Sequence, residues 1–202
     1  MREFFLIRHA ESMGNIGLDA GFDPDLSPNG KVQAAQCAEF MTKFCDAHTI
    51  MLSSPFERCL QTAEKIAEVN QLTFRIDVML HEYFAADWYP LRKVRFDSLK
   101  KKAERYPHIE GEYDEGRWWP DRSEEYADVS VRLSMFRNMI CGSLFTEEKI
   151  ICIGHWASIA ALARAMIPGI DMDYVENAAV TKIDYIEGKY ILRIKNGLCL
   201  QD

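Results

Sequence analysis

The residues able to do chemistry in this chain sit where apolar runs end. Arg8-His9 closes the run Phe4-Phe5-Leu6-Ile7, and Gly154-His155 closes Ile150-Ile151-Cys152-Ile153. Arg58 lies about one helical turn past Thr49-Ile50-Met51-Leu52-Ser53, and His81-Glu82 follows Thr73 to Val78. Each element alone is weak. A lone histidine after a buried run is more often a satisfied core residue, Arg58 could be a solvated helix residue, and a loop carboxylate such as Glu82 is mostly just solvated. Together they say more. A buried arginine beside His9 needs an anion. Arg58 falls in the first turn of a helix, where the macrodipole disfavours a cation unless an anion binds there. Arginine forks match phosphate oxygens, a neutral imidazole can attack phosphorus, and a carboxylic acid can protonate a leaving oxygen and then activate water. The set suits phosphoryl chemistry.

The elements that must hold these residues follow from periodicity and punctuation. Glu3 to Arg8 reads as a strand buried on both faces, and Ala10 to Asp25 as a long loop. Ser27 and Pro28 suit the N-cap and first position of a helix running to about Cys45. Thr49 to Ser53 is a second strand. Ser54-Pro55-Phe56-Glu57 has capping-box spacing, with Ser54 as N-cap and Glu57 at N3. Thr73 to Val78 is a third strand. Residues 79–122 read as an insertion or lid over one end of the sheet, rich in aromatics and carrying Lys100-Lys101-Lys102. A helix starts near Ser123 and Glu125 and runs through Ile140. A strand covers Lys149 to Gly154, a helix Ala157 to Met166, and two strands Val180 to Ile186 and Tyr190 to Ile194. Strands alternating with helices predict an α/β fold, a three-layer α/β/α sandwich on a mostly parallel sheet. Ligands of such sheets bind beyond the carboxyl ends of the strands.

Composition narrows the class. The chain has 202 residues and a formal net charge of −7, which predicts one domain over 1–202 and a poor partner for nucleic acid or anionic membranes. Six cysteines without CxxC spacing read as buried reduced thiols of a cytoplasmic protein. The N-terminal apolar run is too short for a signal peptide, and His155, Ser158 and Arg164 interrupt the most apolar stretch, Ile150 to Pro168. No cofactor or metal is expected, and the oligomeric state is left open.

The stretch Arg8-His9-Ala10-Glu11-Ser12-Met13-Gly14-Asn15 resembles the signature of the histidine phosphatase superfamily, the phosphoglycerate mutase-like proteins. That signature reads Arg-His-Gly-Glu-Ser with an Asn three residues on. Leu26-Ser27-Pro28-Asn29-Gly30 is similar to the family's Leu-Thr-x-x-Gly helix start, Ser53 to Ala63 to its second motif, and Gly154-His155 to its third. The resemblance implies a phosphoglycerate mutase-like fold and a metal-independent phosphomonoester hydrolase. It implies that His9 becomes phosphohistidine, that Arg8, Asn15, Arg58 and a cationic His155 hold the phosphoryl oxygens, and that Glu82 is the general acid and base. Two residues depart from the pattern: Ala10 stands for Gly, and Trp156 for a small residue. The Trp156 indole either walls a substrate pocket or packs on the sheet.

Other readings stay open at this stage. Mutases of the family carry an Arg-Arg pair after the Glu. This chain has none, although Arg92, Arg95 and the Lys100 cluster could meet a second phosphate. A non-catalytic phosphate-binding module needs neither nucleophile nor acid. A metal site from His9, His81, His155 and Glu82 is disfavoured by the arginines beside it. The substrate is expected to be a small phosphorylated molecule or a phosphoprotein.

Overall fold

The computed structural model describes residues 1–18, 21–89, 94–142 and 145–197. Strand β1 (Arg2–Arg8) leads through a loop to helix α1 (Pro28–Met41) and strand β2 (Thr49–Ser53). Helix α2 (Glu57–Asn70), the short strand β3 (Arg75–Ile76) and a 3-10 turn at Val78–Leu80 follow. Helix α3 (Leu99–Ala103) interrupts a long irregular segment. The chain then forms helix α4 (Tyr126–Cys141), strand β4 (Lys149–Gly154), helix α5 (Trp156–Met166) and a hairpin of β5 (Val180–Ile186) and β6 (Lys189–Gly197).

The six strands form one sheet in the order β3-β2-β4-β1-β5-β6, parallel from β3 to β1 and antiparallel beyond it. Strand side chains alternate between two helical layers. Phe4, Leu6, Ile150 and Cys152 pack with Leu133 and Phe136 of α4 and Leu162 of α5. Phe5, Ile7, Ile151 and Ile153 pack with Cys37 and Met41 of α1 and Cys59 and Ile66 of α2. A central strand buried on both faces needs a continuous apolar run, which is why β1 and β4 stand out in the sequence. Each fully buried Phe, Leu or Ile contributes about 1.5–3 kcal/mol. The expected three-layer α/β/α arrangement on a mostly parallel sheet is the one observed.

Several boundaries differ. Helix α1 stops at Met41 rather than Cys45. The third strand is two residues long instead of Thr73 to Val78, because Asp77 caps the following turn through Met79 N at 2.9 Å. Helix α4 starts at Tyr126 with Glu125 as N-cap, since the Asp128 carboxylate accepts the Glu125 amide at 2.9 Å. The capping box expected at Ser54 is absent. Helix α2 begins at Glu57, whose amide donates to Asp23 Oδ1 at 2.7 Å, so a side chain from a distant loop does the capping. Gly30 is required by packing: a Cβ there would meet the Glu11 carbonyl oxygen at 1.8 Å.

Candidate active site

The parallel register brings the strand ends together. Arg8 pairs with Gly154 and Ser53 with Ile153. The His9 amide donates to Gly154 O at 2.9 Å and the Ser54 amide to Ile153 O at 2.9 Å. The segments after β1, β2 and β4 therefore leave the sheet side by side, and the His9 and His155 rings lie 5.2 Å apart. Helices α2 and α5 both start here, with the positive ends of their dipoles at the site. Gly154 lets the turn close, because a Cβ would sit 2.7 Å from Ser158 Oγ, which accepts the His155 amide at 2.9 Å.

Arg58 links the two imidazoles. Its Nε donates to His9 Nε2 at 3.2 Å and its Nη2 to His155 Nδ1 at 3.1 Å, with the guanidinium 4.5 Å over the Phe56 ring. His9 Nδ1 donates to Ala10 O at 2.7 Å, so the ring's lone pair is on Nε2. His155 is the opposite tautomer, with Nδ1 accepting from Arg58 and Nε2 donating to Ser54 Oγ at 2.8 Å. Burial, then the charge of Arg58, holds both histidines well below their ordinary pKa. Burial and the charge of Arg58 thus favour the neutral form of His155, whereas the resemblance implies a cation.

Arg8 donates through Nη1 to Val175 O at 2.6 Å, while its Nε is buried without a hydrogen-bond partner. An orphaned guanidinium donor at this place is what an anion would satisfy. Asn15 sits on the loop after His9, its Oδ1 accepting the Ser12 amide and hydroxyl, each at 3.0 Å, which keeps its amide nitrogen as the donor end.

Glu82 reaches the cluster from the loop after the 3-10 turn. Its Oε2 lies 3.6 Å from His155 Nδ1 and its Oε1 accepts the Tyr83 amide at 2.8 Å. Burial raises its pKa, opposed first by Arg58. A carboxyl group held protonated can donate to a leaving oxygen. The structure thus brings Arg8, His9, Arg58, Glu82 and His155 to one locus. Trp156 stands at the start of α5, half-exposed, stacked toward Tyr174 with ring centroids 6.3 Å apart. It lines a mostly apolar cavity of about 460 Å³ that also touches Glu82.

Other expectations do not hold. Lys102 is fully buried and pairs with Asp23 and Glu57, both at 2.6 Å. Lys100 and Lys101 pair with Glu115 and Asp97. The lysines of the basic cluster pair with carboxylates of their own fold. Arg92 lies outside the described residues. His81 does not join the cluster: Nδ1 donates to Glu82 O at 2.7 Å, its ring packs on Phe84, and burial lowers its pKa to about 3. Among the described residues no three His, Cys, Asp or Glu side chains converge as metal ligands.

Residues that sequence reasoning missed hold the machinery in place. Asn177 Nδ2 donates to His9 O at 2.9 Å, and the Ala178 amide to the Arg8 and His9 carbonyls at 3.1 and 3.2 Å. Ala178 adopts φ 57°, a strained conformation for a residue with a Cβ, to place that amide. Thr62 Oγ1 accepts the Ala10 amide at 3.1 Å. Arg132 of α4 grips the Glu82 loop through the carbonyls of Met79 and His81, at 2.5 and 3.1 Å, and is held by Glu124 at 3.0 Å. Nothing in the local sequence marks Asn177, Ala178 or Arg132, while Thr62 lies within the Ser53 to Ala63 motif without a role assigned to it.

This fold and this cluster define a phosphate-handling class. A model of the histidine phosphatase superfamily, branch 1, matches residues 4–196, and the chain belongs to that superfamily. It is 26% identical over 181 residues to a glucosyl-3-phosphoglycerate phosphatase of Mycolicibacterium vanbaalenii, covering 86% of this chain and 77% of that one. It is also 26% identical to phosphoserine phosphatase 1 of Hydrogenobacter thermophilus, covering 98% of this chain and 94% of that one. A solved mycobacterial glucosyl-3-phosphoglycerate phosphatase in complex with VO3 superposes with a TM-score of 0.69 at 21% identity, covering 98% and 100% of the two chains. Among the described residues no helix is long and apolar enough to cross a membrane.

Proposed function

We propose that the chain hydrolyses small phosphomonoesters through a covalent phosphohistidine on His9, with residues 1–202 acting as one catalytic domain. His9 Nε2 attacks phosphorus and the bond from phosphorus to the alcohol oxygen breaks. Glu82 gives its proton to that oxygen. Water then attacks the phosphorus of the phosphohistidine, Glu82 takes the water's proton, and phosphate leaves with His9 neutral again. Arg8, Arg58, His155 and Asn15 hold the phosphoryl oxygens, and their preorganised donors supply most of the transition-state stabilisation. One observation carries this reading: the His9 imidazole, with its lone pair on Nε2, lies against the buried Arg58 guanidinium, and the same guanidinium acts on the Glu82 carboxyl group, whose pKa burial raises. Both names among the relatives are of phosphatases acting on small esters, which supports a small substrate over a phosphoprotein.

The test is hydrolysis of a panel of phosphomonoesters in excess EDTA. Full turnover is expected, because every group in the scheme is a side chain. Activity lost to EDTA and restored by one added divalent ion would contradict the scheme.

A further inference from the structure

Two sets stand out among the aromatic residues of the irregular segment. Phe84, Tyr89 and Trp118 are buried around Phe56 and form a small core. Tyr83 and Trp88 instead meet Tyr126 of α4 and Trp156 of α5 at the mouth of the cavity that touches Glu82. Trp88 is 56% exposed, Tyr126 43% and Trp156 41%. Exposed rings gathered around one concave site are not explained by packing and mark a binding surface.

The cavity's place in the reaction follows from Glu82. The group that protonates the leaving oxygen must lie on the alcohol's side of phosphorus, so the alcohol occupies the space that Glu82 borders. Ala157 and Ala160 keep that space open on the α5 side. Arg164 is the one cation among the described residues lining it, and it donates to Tyr126 Oη at 2.8 Å and to Asp173 Oδ1 at 2.9 Å. A substrate carboxylate would compete with Asp173 and Tyr126 for Arg164, whereas a flat apolar ring would lie between aromatic walls without that competition.

We propose that the cleft walled by Tyr83, Trp88, Tyr126 and Trp156 takes the alcohol part of the substrate, and that this alcohol bears an uncharged planar aromatic group. The inference rests on the hydrolytic reading above and narrows it. It sets this chain apart from relatives whose printed names imply carboxylate-bearing esters.

The test uses alkyl esters, so that leaving-group chemistry stays nearly constant: 2-(2-naphthyl)ethyl phosphate, ethyl phosphate and O-phosphoserine. The naphthyl ester is expected to exceed both others about 30-fold in kcat/KM, mostly through KM, on the scale of burying one ring. Trp156→Ala should cut the ratio of naphthyl to ethyl ester about tenfold, with unchanged far-UV circular dichroism. Equal kcat/KM for the three esters, or a preference for O-phosphoserine, overturns the proposal. Titration calorimetry with 2-(2-naphthyl)ethylphosphonate against ethylphosphonate separates binding from turnover. Preferential binding without hydrolysis of any ester would support the cleft and sink the hydrolytic reading, while equal affinities with active enzyme would sink the cleft alone.

Discussion

The two halves of the site are held in different ways. On the side proposed to hold phosphate, Arg8, His9 and His155 are strand-end residues, and Arg58 lies in the first turn of a helix. Their positions come from the parallel ladder itself, with Arg8 opposite Gly154 and the His9 amide on Gly154 O. On the side proposed for the alcohol, Glu82 stands on a loop beyond a two-residue strand, braced by Arg132 of α4, about fifty residues away in sequence, which Glu124 holds from just before that helix. Backbone pairing fixes one half, and long side chains fix the other. The first should tolerate changes around it and fail only when its own groups are removed. The second should be adjustable from a distance, which fits a region that distinguishes one alcohol from another.

The largest effect should come from the ladder side. His9→Ala should lower turnover by at least ~10²–10⁴-fold, the scale of one catalytic group, with the thermal midpoint little changed. Residual activity above a few per cent would reduce His9 to a packing residue.

Glu82→Gln comes next and sharpens the contrast. It should slow phosphorylation by alkyl phosphates about 100-fold and by p-nitrophenyl phosphate only a few-fold, because an activated aryl oxide hardly needs a proton. The sign with pH follows from burial. The raised pKa keeps Glu82 protonated above the ordinary carboxyl range, so alkyl ester turnover falls as pH rises through that pKa. The Gln variant should lack this limb. His9, with its lowered pKa, should contribute no acid limb near its ordinary 6.5. Equal slowing of both esters would assign Glu82 a positioning or charge role.

The ion pairs of the irregular segment give a third break point. Lys102→Met removes the cation paired with the Asp23 carboxylate, leaving it the Glu57 amide, and removes one of three donors from Glu57, and should cost about 3 kcal/mol in urea unfolding. A loss under about 1 kcal/mol would mean that solvent reaches this network.

How legible each half was in the sequence follows the same division. The strand-end residues announce themselves, because a doubly buried strand must be an apolar run and its last residues must face the ligand side. Glu82 was found by its place after the third strand and by resemblance. Its bracing was invisible, since Arg132 is one of many helix arginines until tertiary contact selects it. The failures have one cause. Ser54 and Glu57 have capping spacing, yet Asp23 takes the helix amide, Ser54 turns to His155, and Glu57 accepts from Lys102, Arg105 and Tyr106. For the same reason Lys102 reads in sequence as one member of a basic cluster, although it is buried against Asp23 and Glu57. Partners supplied from across the fold leave no local pattern. Trp156, open between wall and packing in the sequence, stands at the cavity rim.

The smallest effect tests the bracing directly. Arg132→Met should reduce kcat about tenfold for alkyl esters and leave p-nitrophenyl phosphate nearly unchanged, since it acts through the placement of Glu82. A uniform drop on both substrates would make Arg132 merely structural.

The central claim is a phosphoryl group carried on His9. Rapid quenching of wild-type enzyme during turnover of a phosphate-labelled ester should yield up to one label per chain, stable in alkali and lost in acid, on the peptide containing His9. Label on another residue, or steady hydrolysis with none bound at any quench time, would contradict it.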